Sequence, residues 1–142
     1  YKTAIFRTGA ADFKDHKISH VDVRDIGDAA ACILTGSVER TANRTYNLTG
    51  PETLTNDEFA ERASIALGKK IVCITVDDYT MFNSLHNTLK LSEDMSIRLI
   101  KLLQSYRIGG MTSLVCGDFQ ILTGKKPRSV EQYFTDFKHL FE

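Results

Sequence analysis

The chain has 142 residues, 42% hydrophobic and 25% charged, with 18 basic side chains balanced by 18 acidic ones. That length builds one domain with a real core, and the zero net charge gives no electrostatic footprint for nucleic acid or a membrane surface. No apolar run is long enough to span a bilayer, and the opening YKTAIFRTGAADFK has no apolar signal segment, so a cytoplasmic protein is expected.

Cys32, Cys73 and Cys116 are an odd count at wide spacing, neither a disulfide framework nor a zinc pattern. Reduced thiols are expected, with Cys32 and Cys73 in the core. The chain begins with Tyr1, and it reads as a piece of something longer.

Ala4, Ile5 and Phe6 predict a short strand, with a hairpin to residues 18–21 as its partner. Ile18, Val21 and Val23 predict a second strand. Asp25 then stands where a helix cap belongs, ahead of Ile26, Ala29, Ala30, Ile33 and Leu34, and Gly36-Ser37 stops that helix. As a cap, Asp25 should tolerate asparagine and lose about 0.5–2 kcal/mol to alanine. Residues 45–48 predict another strand, closed by Gly50-Pro51. Strand, helix and strand in some thirty residues is the size of one βαβ crossover, and a parallel sheet needs more strands than these.

Beyond Pro51 the pattern turns helical. Thr55 and Glu58 form a capping box ahead of Phe59, Ala60, Ala63, Ile65, Ala66 and Leu67, with Gly68 as the stop. Residues 71–76 are β-branched and apolar, a strand. Asp77 or Asp78 caps a helix carrying Tyr79, Phe82, Leu85, His86 and Leu89. Ser92 caps another through Met95, Leu99, Leu102, Leu103 and Tyr106, ended by Gly109-Gly110. A helical turn is expected over 118–122, and Ser129 to Gln132 repeats the capping pattern before a last helix with Val130, Phe134, Phe137 and Phe141 on one face. The loop over residues 50–55 divides the chain into 1–52, the terminal strands and crossover helix, and 53–142, mainly helical.

These segments carry a resemblance. VDVRDIGDAAACIL, TYNLTGPETLTNDEFA, IALGKKIVCITVDD, RIGGM and LTGKKPRSVEQYFTDF, in that order and spacing, resemble the C-terminal third of NmrA-like proteins, atypical short-chain dehydrogenase/reductase relatives that bind NAD(P)H. The resemblance runs from Phe6 to the end. It implies an α/β fold: the end of a Rossmann-like parallel sheet followed by a mainly helical C-terminal substrate-binding subdomain. It also implies NAD(P)H in the full-length parent, with the dinucleotide fingerprint upstream of these residues.

The chain itself holds no Gly-x-Gly-x-x-Gly loop, so no cofactor is expected to bind it alone. It has no Tyr-x-x-x-Lys pair either, since Tyr133 and Lys138 are one residue too far apart. No catalytic residue and no metal ligand is assigned. His16 and His20, beside Asp12 and Asp15, have helical ligand spacing in a segment that reads as loop and strand. Asp22, Arg24, Asp25 and Asp28 read as a cap and an ion pair, Arg24 with Asp22 or Asp28. A substrate pocket is expected among Tyr79, Phe82, Tyr106 and Met111, which lie near helix ends and combine apolar bodies with polar tips.

The resemblance carries two functions. One is the substrate-side part of an oxidoreductase acting on a quinone or similar carbonyl compound. The other is a regulatory module that contacts a protein partner, as in relatives that sense nucleotides without catalysis. The truncated sheet edge also predicts self-association.

Overall fold

The computed structural model describes residues 4–9, 16–106 and 111–141. Two strands far apart in sequence make its main sheet. β1 (Ala4–Gly9) lies parallel to β4 (Ile71–Val76) in unbroken register, Ala4 opposite Ile71 and Gly9 opposite Val76. Everything between them is therefore one long crossover, as parallel neighbours require. The expected hairpin between β1 and residues 18–21 does not form. β2 is only Ile18–Ser19, and it pairs antiparallel with β3 (Thr53–Leu54).

The compact βαβ unit is likewise absent. The Asp22 carboxylate accepts a hydrogen bond from the Arg24 backbone N–H at 2.8 Å, so α1 (Val23–Thr35) starts before Asp25 and absorbs Val23. Asp22, not Asp25, is the cap. Residues 45–48 form no strand; the Asn47 backbone N–H donates instead to the Asp118 carboxylate at 2.7 Å. Next to it the Thr49 hydroxyl accepts from the Cys116 N–H at 2.9 Å. A short α2 (Val38–Thr41) follows α1.

The helical half follows its sequence signals closely. α3 (Asn56–Leu67) opens on the Thr55/Glu58 capping box and closes on Gly68 at φ 69°, the left-handed conformation that glycine adopts without strain. α4 (Asp78–Asn83) is capped by Asp77 and continues into a π-turn over Ser84–Thr88. α5 (Glu93–Tyr106) starts at Ser92, whose hydroxyl accepts from the Met95 N–H. α6 (Asp118–Thr123) ends at Gly124 in the same left-handed conformation as Gly68. α7 (Val130–Asp136) opens on Ser129, which accepts from the Gln132 N–H, and a 3-10 turn, Lys138–Leu140, follows. The Gly109-Gly110 stop lies outside the described residues.

The core sits where α3 packs on α7. Ala63, Leu67 and Phe134 are buried there, with Phe59, Tyr133 and Phe141 against them. α3 also packs on β4, and α6 packs on α1, with Ala29 and Phe119 sequestered. Cys32 and Cys73, expected in the core, are only half-buried.

Candidate functional site

Ligands of parallel α/β sheets bind beyond the C-terminal ends of the strands. Here those ends are Gly9 and Val76, side by side. α4 leaves the sheet directly after Val76, so Tyr79 stands in its first turn at the sheet end, 76% exposed. Phe82 follows one turn later. It is half-buried and stacks on His86, centroids 5.5 Å apart, while the His86 Nδ1 is 2.9 Å from the Leu91 carbonyl oxygen. The Gln104 side-chain amide donates to the Asp78 carboxylate at 2.8 Å, which ties the last turn of α5 to the first turn of α4. The backbone thus carries Tyr106, two residues beyond Gln104, toward the same end. The side chains of Tyr106 and Met111 lie outside the described residues.

This end of the sheet does not fit a dinucleotide pyrophosphate among the described residues. Such a group needs free N–H donors at a helix N-terminus. Asp77 already fills that place on α4, its carboxylate accepting from the Thr80 N–H at 2.7 Å, which also holds the Asp77 carboxyl below its ordinary pKa. Asp22 fills the N-terminus of α1, and Thr55 with Glu58 that of α3.

A second concave region went unnoticed in the sequence. A cavity of about 280 Å³ lies where His20 to Val23 meet Phe59 and the start of α7. Two ion-pair systems frame it. Arg24 grips Asp22 at 2.6 Å and Asp136 at 2.7 Å, and its guanidinium lies 4.8 Å from the Phe137 ring centre. Of the two partners expected for Arg24, Asp22 or Asp28, the structure holds Asp22, and Asp136 is added to it. Arg128 instead binds Asp28 at 3.0 Å and the fully buried Asp25, whose second oxygen accepts the Arg128 backbone N–H at 2.8 Å. Hydrogen bonding to Asp28 and Asp25 raises the Arg128 pKa, and Arg24 lowers that of Asp22. Arg128 thus fastens the first turns of α1 to the approach to α7, and Arg24 fastens the start of α1 to the last residue of α7. Every member of the charged group foreseen around residues 22–28 is here, in a structural role; the signal missed was Arg128, a hundred residues on.

His20 packs its ring on Phe59, centroids 4.6 Å apart, and its Nε2 is buried with no hydrogen-bond partner among the described residues. Among the described residues no three His, Cys, Asp or Glu groups converge on a metal position. Asp12 and Asp15 lie outside them. Burial lowers the His20 pKa below its ordinary 6.5. The unfolded chain then takes up the proton first, so folding weakens as pH falls through 6.5 toward the native-state value. His20→Phe should flatten that slope. Denaturation of both proteins across this range is the measurement, and parallel stability curves would show that His20 does not cause it.

No family model and no curated protein sequence matches the chain. Solved structures do. It is similar to the Citrobacter sp. triphenylmethane reductase complexed with NADP(H), at a TM-score of 0.75 and 23% identity over 94% of this chain and 44% of that one. The Escherichia coli NADPH-dependent quinone oxidoreductase complexed with NADPH gives 0.70 and 17% over 97% and 45%. A nucleoside-diphosphate-sugar epimerase from Staphylococcus aureus gives 0.74 and 16% over 94% and 51%. The chain spans about half the length of these proteins, matching their C-terminal part. The fold is accordingly mixed α/β, that of the C-terminal, largely helical portion of Rossmann-like reductases. No helix among the described residues is long and apolar enough to cross a membrane.

Proposed function

We propose that this chain is the substrate-side C-terminal part of an NAD(P)H-dependent oxidoreductase of the NmrA-like group, with a quinone or similar carbonyl compound as the acceptor. The observation that carries this reading is the parallel β1–β4 pair, with α4 and the end of α5 gathered at its C-terminal end. That is where an α/β sheet receives its substrate, and the similar solved proteins include reductases crystallised with NADP(H). The nucleotide itself belongs to an upstream region, because the helix N-termini described at the sheet end and in α1 and α3 are already capped. Tyr79 and Phe82, with Tyr106 and Met111, would face the acceptor.

One observation favours a second reading, a regulatory module that holds a protein partner. Val23, Ile26 and Leu34 stand 68%, 43% and 84% exposed along one face of α1, an apolar stripe of the kind partners cover.

The test uses the product of the whole gene and, beside it, residues 1–142. The whole product should oxidise NADPH when a benzoquinone is added. NADPH binding without turnover of any quinone or aromatic aldehyde would favour the regulatory reading. Residues 1–142 alone should show no saturable NADPH binding at low micromolar concentration, and light scattering should show them self-associating through the free edges of the two-stranded sheet. Tight NADPH binding by this segment would overturn the assignment of the nucleotide to the upstream region. A clean monomer at about 100 μM would mean that the edges are covered.

A further inference from the structure

The arginines divide into two kinds. Arg24, Arg62, Arg98 and Arg128 each sit in an ion pair with a carboxylate. The other two whose side chains are described, Arg40 and Arg44, have no carboxylate partner among the described residues. Both line one cavity of about 230 Å³, between the end of α1, α2 and α6. Chain geometry puts them together. Asn43 takes φ 57°, a left-handed conformation that asparagine tolerates better than most residues, and so turns the chain back after α2. The Tyr46 hydroxyl then closes the turn by donating to the Arg40 carbonyl oxygen at 3.3 Å. The remaining wall is largely apolar, with Cys32, Tyr46, Ile121 and Leu122 contributing.

We propose that this cavity binds a small amphipathic carboxylate, its apolar body against Ile121 and Leu122 and its anionic head between Arg40 and Arg44. A planar guanidinium matches a carboxylate through two parallel hydrogen bonds, which a surface lysine cannot do. Apolar walls with a few polar groups at one rim select for a body that inorganic anions lack. The volume suits an aryl carboxylate of two fused rings. Nothing in this site involves the sheet end, so its fate is independent of the oxidoreductase reading.

The experiment titrates the whole gene product with 2-naphthoate, 2-naphthamide and inorganic phosphate, followed by calorimetry. Naphthoate should saturate, the neutral amide should bind at least about tenfold more weakly, and phosphate should not compete at equal concentration. Arg40→Gln/Arg44→Gln should weaken naphthoate binding by about tenfold or more, and added salt should act in the same direction. Neither arginine has a carboxylate partner among the described residues, so the double variant should keep the wild-type circular dichroism and melting curve. Ile121→Trp, a change at an exposed side chain, should obstruct binding while leaving both guanidiniums in place. Equal affinity for acid and amide, unchanged binding in the double variant, displacement by phosphate, or no saturable naphthoate binding would each overturn the proposal.

Discussion

Asp25→Ala is expected to destabilise the protein by about 3–5 kcal/mol, the cost of removing one partner from a buried ion pair. The residue is 0% exposed, and its carboxylate holds both the guanidinium and the backbone N–H of Arg128. Without it, Arg128 keeps only Asp28, on the more exposed side of the pair. Asp25→Asn should remain strongly destabilising, because the amide can accept one of those hydrogen bonds but leaves the charge half-compensated. That is the reverse of what a helix cap would do. At the true cap, Asp22, the local N–H of Arg24 is the backbone partner. Urea denaturation of Asp25→Ala, Asp25→Asn and Arg128→Ala decides it. A mild Asn variant beside a severe Ala variant would restore Asp25 to a capping role.

The confusion of these two aspartates shows where sequence reading stops. Asp22 and Asp25 are three residues apart, either can precede a helix, and nothing nearby separates them. What separates them is Arg128, 103 residues away. The same limit explains the sheet. The strand at Ile71–Val76 was legible from its β-branched run, but its partner was not, because parallel pairing joins Ala4 to Ile71 across most of the crossover. Elements whose signals are local were legible: the Thr55/Glu58 box, a cap at Asp77 or Asp78, the Ser129 cap, and the glycine stop at Gly68. Residues 45–48 misled because a short apolar run does not say which groups will take its backbone hydrogen bonds. Here the Asn47 N–H goes to the Asp118 side chain, 71 residues away.

The candidate site was legible only where it coincided with an element boundary. Tyr79 and Phe82 stand out in the sequence as apolar side chains near a helix end, and the structure places Tyr79 in the first turn of α4, directly after β4, with Phe82 one turn on and stacked on His86. The cavities beside His20 and beside Arg40 were not visible, because each is closed by pieces of chain about 70 to 110 residues apart.

Gly50→Ala is the other substitution expected to be severe. A methyl group at Gly50 would stand 1.9 Å from the backbone oxygen of His20 and 2.9 Å from its carbonyl carbon. Backbone atoms cannot swing aside as a side chain tip can, so one of the two segments has to move. The Gly50 N–H also donates to the Ser19 hydroxyl at 3.0 Å, and Ser19 pairs with Thr53 in the small antiparallel sheet. Displacing Gly50 therefore loosens that sheet and shifts His20, whose ring lies on Phe59 beside the core. The loss should exceed about 3 kcal/mol, the upper end of ordinary overpacking, because the clash is with main chain. Ser19→Ala removes only the hydrogen-bond acceptor and should cost about 1 kcal/mol. The two can be told apart by their effect on His20. Gly50→Ala should move the His20 ring resonances and raise its pKa toward 6.5 as the packing opens. Ser19→Ala should leave that titration in place. A Gly50→Ala protein with wild-type stability and an unmoved His20 titration would show that the two backbones are not in contact at this point, and that the extended segment ahead of Pro51 is held by Asp118 and Cys116 alone.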